Sequence, residues 1–219
     1  MNCLICKRRI PLQLKFYELF LLSNLTNTLC EKCEENFHKI SENHCPRCWK
    51  DGTAEICRDC RDWESQGIIV SHRAVFRYDN AMKEYFSSYK FVGDFQLCQI
   101  FAQYFRPVKN DKNFVVVPIP ISDKRMQERG FNQVTGFLNA AKIPYQNLLV
   151  KSEAVKQSSL SREDRLASQN SFAAARKIKI PEKVLLIDDI YTTGATLQHA
   201  AETLSTSGVK EIRTFSLCR

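Results

Sequence analysis

Val184-Leu185-Leu186-Ile187-Asp188-Asp189-Ile190-Tyr191-Thr192-Thr193-Gly194-Ala195-Thr196 is the stretch on which the fold turns. Four apolar residues are followed by two acids and then by a short hydroxyl-rich loop that opens a helix. Such a run reads as a strand buried on both faces, as in a parallel sheet. The acids emerge at its carboxyl end, where open α/β sheets bind their ligands. Carboxylates there can accept hydrogen bonds from the two hydroxyls of a ribose. Backbone N–H groups of the loop and of the helix N-terminus suit a phosphate. Thr192, Thr193 and Thr196 add hydroxyls, and Gly194 allows close approach of the backbone. An acid pair before a Thr/Gly turn also serves as a plain helix cap, but the whole pattern favours the phosphate site.

Outward from this stretch, strand and helix signals alternate. Ile68 to Tyr78 reads as a strand, Asp79-Asn80 as a turn and cap, and 81–91 as a helix with Met82, Tyr85, Phe86 and Tyr89 at helical spacing. A second helix is expected over 95–105, a short buried strand over Val115–Val117 ending at Pro118, a helix over Phe131–Ala141 and a strand over Asn147–Lys151. Residues 152–172 are polar and weakly patterned and read as a loop. A helix from about Ala195 to Ser205 and a closing strand, Ile212 to Leu217, follow the opening stretch. This alternation predicts an α/β fold, a mostly parallel sheet flanked by helices.

The front of the chain differs. Of ten cysteines, eight precede residue 61, as four Cys-x-x-Cys pairs: Cys3/Cys6, Cys30/Cys33, Cys45/Cys48 and Cys57/Cys60. Two such pairs supply the four sulfurs of a tetrahedral zinc site, so eight cysteines allow two sites. Joining the first pair with the second and the third with the fourth is the simplest scheme, and spacing equally allows an interleaved one. Four-sulfur zinc has no open position for chemistry and holds together a module too small for a good core. A disulfide framework would require an oxidising compartment, and a redox dithiol needs only one pair. His38 and His44 are expected at the surface, and Cys98 and Cys218 as small buried residues. Arg61 to Gly67 reads as a linker, which divides the chain into a cysteine-rich module, 1–66, and an α/β domain, 67–219.

The formal charge is +8, and 44% of the residues are hydrophobic, enough for a packed core. Residues 1–66 carry ten basic and ten acidic side chains, so the whole excess falls in 67–219. A basic domain favours an anionic partner, nucleic acid or a phosphorylated small molecule, although surface charge also serves solubility. Phe16 to Leu22 is apolar but too short to span a membrane, and no run of about 18 apolar residues is present. The first ten residues lack the apolar region of a secretory signal, which predicts a cytoplasmic protein.

The Val184–Thr196 segment resembles the diphosphoribosyl-binding motif of type I phosphoribosyltransferases. The resemblance implies that Asp188 and Asp189 contact the ribose hydroxyls and that Thr192, Thr193, Gly194, Ala195 and Thr196 cradle the 5-phosphate. It also implies magnesium carried with phosphoribosyl diphosphate, held mainly through water and substrate. Val117-Pro118-Ile119-Pro120, followed by Arg125 and by Arg129-Gly130-Phe131-Asn132-Gln133, is similar to the ComF (competence protein F) family, as is the zinc-ribbon-like cysteine module in front. Gln157, Leu160, Arg165 and Phe172 fall at the spacing of a third motif of that family, which departs at Ser168, where the family has Asn, with Asn170 two residues on.

By this resemblance the backbone of Val117–Ile121 forms the diphosphate loop. Arg125 and Arg129 either complement the diphosphate or begin a solvated helix. Residues 152–172 take the place of a substrate-covering loop, to which Lys156, Arg162 and Arg165 bring positive charge. The resemblance implies a competence factor that helps take up and handle single-stranded DNA in the cytoplasm, with an ATP-driven DNA translocase as partner and a membrane association only through that partner. Tyr191 or Trp49, if exposed, would stack on bases; packing in the core or at its rim is the simpler role. The alternative is a working magnesium-dependent phosphoribosyltransferase whose acceptor no segment specifies. A third reading keeps the pocket as a sensor or as a grip on a terminal nucleotide.

Overall fold

A computed structural model describes residues 2–10, 28–151, 171–175 and 178–219. In chain order its elements are α1 (Glu31–Glu34), α2 (Arg58–Ser65), β1 (His72–Arg73), α3 (Asn80–Ser87), α4 (Cys98–Phe101), β2 (Val115–Pro118), α5 (Asp123–Arg129), α6 (Gln133–Ala140), β3 (Leu149–Lys151), β4 (Phe172–Ala174), β5 (Lys183–Ile190), α7 (Ala195–Thr206) and β6 (Glu211–Cys218). A π turn over Ser88–Val92 extends α3, and 3-10 turns flank α4.

Four strands form a parallel sheet in the order β1-β6-β5-β2. The apolar run lies in its interior strand: Val184 to Asp189 of β5 are all buried, and Val184 pairs with Val115 on one side and Ile212 on the other. β2 ends at Pro118, which has no N–H to carry the ladder on. The next residue, Ile119, donates instead to the Ile187 carbonyl at 2.9 Å. Parallel neighbours require crossovers, and α6 and α7 provide them. Asn132 starts α6: its side chain accepts from Val134 N at 2.8 Å and donates to Ile119 O at 2.9 Å, tying the helix to the loop after β2.

One face of the sheet is covered by aromatic residues of α3, α4, α6 and the turns that continue α3 and α4. Tyr85, Phe86, Tyr89, Phe101, Phe105 and Phe137 are all buried there, and Phe105 and Phe137 stack with centroids 5.0 Å apart. Tyr89 OH donates to Gln133 O at 2.9 Å. A Cβ at Gly136 would lie 2.2 Å from that hydroxyl, so glycine sets how closely α6 approaches.

Four expectations need correction. Arg61–Gly67 is no linker, because α2 runs through Ser65 and begins straight after Cys57. The strand over 68–78 is reduced to His72–Arg73 plus a bridge at Phe76. The cysteine module supplies partners there: His72 N donates to Arg47 O and Phe76 pairs with Lys39. The helix over 95–105 is α-helical only from Cys98 to Phe101 and goes on as a 3-10 turn holding Pro107, which cannot donate a helical bond. Residues 149–151 pair antiparallel with Phe172–Ala174, apart from the main sheet, so Phe172 belongs to a strand. Phe16–Leu22 and residues 152–170 of the expected loop lie outside the described residues.

Gly136→Ala is expected to cost about 1–3 kcal/mol through overpacking against Tyr89, measured by urea unfolding. In a double-mutant cycle, Tyr89→Phe should relieve part of that cost, because it removes the atom the new methyl meets.

Candidate functional site

The carboxyl ends of β5 and β2 and the start of α7 form the site. Between β5 and α7 the loop turns through Gly194, whose φ of 88° is left-handed. A Cβ on Gly194 would sit 2.4 Å from the Tyr191 ring, so glycine is required twice over. Thr192, Thr193 and Thr196 are exposed, and Gly194 is buried beneath them. Asp188, Ile190, Tyr191, Thr192 and the residues from Gly194 to Leu197 line a small cleft at this point. Tyr191 itself points inward and is buried. Its ring packs 4.2 Å from the His72 ring and lies under the Arg219 guanidinium at 4.8 Å, so it offers no face to a base. Trp49 is half-buried and stacks on His44.

Asp188 and Asp189 are both buried. The Asp188 carboxylate accepts the Asp189 N–H at 2.9 Å. The Lys90 ammonium, itself largely buried, forms an ion pair with Asp189. The two acids therefore diverge. Burial and the charge of Asp189 raise Asp188 well above the usual carboxylate range. Burial opposes ionisation of Asp189 too, but Lys90 overrides it and holds the group below its ordinary value. The two acids thus differ in how readily each gives up its proton, and a protonated carboxyl can donate to a hydroxyl where a carboxylate only accepts.

Arg129 closes α5, and its Nε donates to Lys90 O at 3.1 Å, while the rest of its guanidinium bonds Gln133 Oε1. It thereby fixes the segment that carries Lys90. Arg125 is exposed on the same short helix. Near it stands Lys151, whose pKa is lowered by burial and by Arg125, with Asp188 opposing. The structure thus brings together Asp188, Asp189, the Thr192–Thr196 loop and the segment after Pro118. Lys156, Arg162 and Arg165 lie outside the described residues. Lys90, Lys151, Trp63 and Arg219 were not read from the sequence as site residues.

The cysteines gather as two groups, Cys3/Cys6/Cys30/Cys33 and Cys45/Cys48/Cys57/Cys60, with the sulfurs of each within 4.8 Å of one another. This is the sequential pairing and not the interleaved one. Sulfur separations are 3.7 Å for Cys6–Cys30, 3.9 Å for Cys45–Cys60 and 3.5 Å for Cys48–Cys57. A tetrahedron with Zn–S of about 2.3 Å has edges of about 3.8 Å, so both groups fit zinc. The thiols are also in electrostatic conflict that a cation relieves. Burial would raise Cys3 and Cys45, but nearby backbone N–H groups lower them to about 6 and about 7. Burial together with the neighbouring thiols pushes Cys33 up to about 12, and burial takes Cys48 to about 11. His38 pairs with Asp79 and His44 with the Cys45 carbonyl, so neither completes a group. Cys98 and Cys218 are buried in the aromatic core.

Residues 99–219 match the family model described as "Phosphoribosyl transferase domain". Over its full length the chain is 44% identical to Competence protein ComFC of Streptococcus pneumoniae, also matched over its whole length. It is 34% identical to Competence protein ComFC of Bacillus subtilis, covering 99% of this chain and 94% of that one. Competence protein F of Haemophilus influenzae is 26% identical over 90% of this chain and 100% of its own.

The raised pKa of Asp188 makes a stability prediction. As pH rises from about 4, the unfolded chain releases this proton before the folded protein does, so Asp188 progressively destabilises the native state. Asp188→Asn is therefore expected to melt at the same temperature as wild type near pH 4. At pH 8 it should melt at a higher temperature than wild type. Calorimetric melts at the two pH values check this; an unchanged or lower melting temperature at pH 8 contradicts the raised pKa.

Proposed function

Because the chain belongs to the ComFC family of competence proteins and carries a phosphoribosyl transferase domain, we propose that it serves natural transformation as a cytoplasmic factor that helps take up and handle single-stranded DNA, and that its pocket grips a ribose 5-phosphate group. The observation that carries this reading is the buried Asp188–Asp189 pair beside a glycine-turned, hydroxyl-rich loop at the start of α7. In it, Asp188 and Asp189 engage the sugar hydroxyls, and Thr192, Thr193, Gly194, Ala195 and Thr196 surround the phosphate. Arg125 complements the remaining phosphate charge, and Arg129 acts through Lys90. Magnesium would ride on the diphosphate and sugar oxygens, since Lys90 already occupies Asp189. Structural zinc in both four-cysteine groups completes the protein, organised as module 1–66 and domain 67–219. Among the described residues no helix is long and apolar enough to cross a membrane; membrane association would come through the partner, an ATP-driven DNA translocase.

The buried acid pair and the match over residues 99–219 favour a second reading, a magnesium-dependent phosphoribosyltransferase of the glycosyltransferase class. Such chemistry needs positioning and charge stabilisation, with no covalent protein nucleophile.

Isothermal titration with phosphoribosyl diphosphate and magnesium should give saturable binding to wild type. Binding should fall below detection in the Asp188→Asn/Asp189→Asn variant. No binding to folded, zinc-loaded wild type removes the pocket from this reading. For DNA, fluorescence anisotropy of a single-stranded, 5′-phosphorylated oligonucleotide is expected to show binding that weakens steeply from 50 to 200 mM salt, as phosphate contacts demand. Absence of binding at low salt, with and without the translocase, would remove the DNA role.

A further inference from the structure

The Cys45/Cys48/Cys57/Cys60 group reaches the phosphate loop through two side chains. Trp63 stands on α2, three residues beyond Cys60, and its Nε1–H donates to Thr193 O at 3.0 Å. Arg219 follows β6, and its side chain is only 8% exposed. Its guanidinium donates to Thr192 O, to Asp59 Oδ2 at 2.8 Å and to Cys48 Sγ at 3.3 Å. It also lies over the ring of Tyr191, the residue that begins the loop. Asp59 stands between Cys57 and Cys60 in the same knuckle, so Arg219 grips the cysteine group at two points and the loop at two more.

The two captured carbonyls are consecutive. A trans peptide carries its N–H on the side opposite its C=O. Holding Thr192 O and Thr193 O toward the cysteine group turns the N–H groups of Thr193 and Gly194 the other way. These are donors that an anion at the start of α7 needs. A loop that passes through a glycine has many other conformations open to it, and donors aimed in advance bind more tightly than donors ordered on arrival. The other group, Cys3/Cys6/Cys30/Cys33, packs instead with Ile10 and Leu29.

We infer that the Cys45/Cys48/Cys57/Cys60 group sets the conformation of the phosphate loop, with Arg219 and Trp63 as the positioning residues that transmit its rigidity to the loop peptides. The ligand side of this inference rests on the loop being a phosphate site; the coupling itself does not. It gives the second cysteine group a task beyond holding the module together: it makes the affinity of a site in the α/β domain depend on the metal state of the module. Trp63→Phe keeps an aromatic ring on α2 and removes the donor together with the five-membered ring that carries it. Arg219→Lys keeps the charge and removes the planar fork that reaches three acceptors at once.

The test uses the full-length, zinc-loaded wild type and these two variants. Hydrogen–deuterium exchange is read by mass spectrometry in peptides covering Tyr191–Thr196 and, as control, the core of β5, alongside zinc content and ribose 5-phosphate affinity. In both variants loop exchange should rise about tenfold or more while β5 exchange and zinc content stay at wild-type values. Ribose 5-phosphate affinity should fall about tenfold. A merely cementing role would move global stability and leave loop exchange where it was; unchanged loop exchange in both variants overturns the inference. Faster loop exchange in a protein whose wild type binds no ribose 5-phosphate upholds the coupling and sinks the phosphate reading instead.

Discussion

β5 is buried on both faces from Val184 to Asp189, and a strand so placed needs a hydrogen-bonded neighbour on each edge, because no water reaches its peptides. β2 and β6 meet that need in parallel register, parallel pairing forces crossovers, and the crossovers place α6 and α7 on the sheet. The same burial carries two carboxyl groups into the protein at the strand's end. Most of what surrounds the site follows from keeping them there.

Two adjacent carboxylates cannot both ionise cheaply in a dry setting. Lys90 answers for Asp189, and Asp188 gives up its proton less readily than an ordinary carboxyl. Lys90 arrives on a π turn, an uncommon continuation of a helix that tends to occur at functional places. Arg129 holds that turn by its carbonyl and is in turn steadied by Gln133. The Arg-Gly-Phe-Asn-Gln segment thus acts on the acids at second hand: Arg129 through Lys90, and Asn132 through the loop after β2. These interactions form a connected polar system beside the aromatic core.

How far the sequence made this visible depended on whether the cause was local. The β5–loop–α7 unit was legible because apolar run, acids, hydroxyls and glycine are consecutive and each has a local use. The cysteine pairs were legible for the same reason, although only the folded chain chose between sequential and interleaved pairing. Lys90 gave no signal, since its carboxylate partner lies on another element. Trp63 bonds a carbonyl 130 positions away, and Arg219 an acid 160 positions away. Helix α2 was hidden because its composition is that of a solvated linker, with mainly Cys60 and Trp63 turned inward. β1 was overestimated because part of that segment's bonding goes to the cysteine module and not to the sheet. Tyr191 reads as packed in the core or at its rim, and it fills the space between His72 and Arg219.

The divided acid pair has a thermodynamic consequence for any ligand. A buried carboxyl whose pKa is raised takes up or releases a proton when new charge or new donors arrive, and disturbance of the Lys90 pairing shifts the second carboxyl as well. Protons then enter the stoichiometry of binding. Heats measured in buffers of different ionisation enthalpy differ in proportion to the number of protons exchanged, so that the acids can be observed from the solvent side without touching a residue.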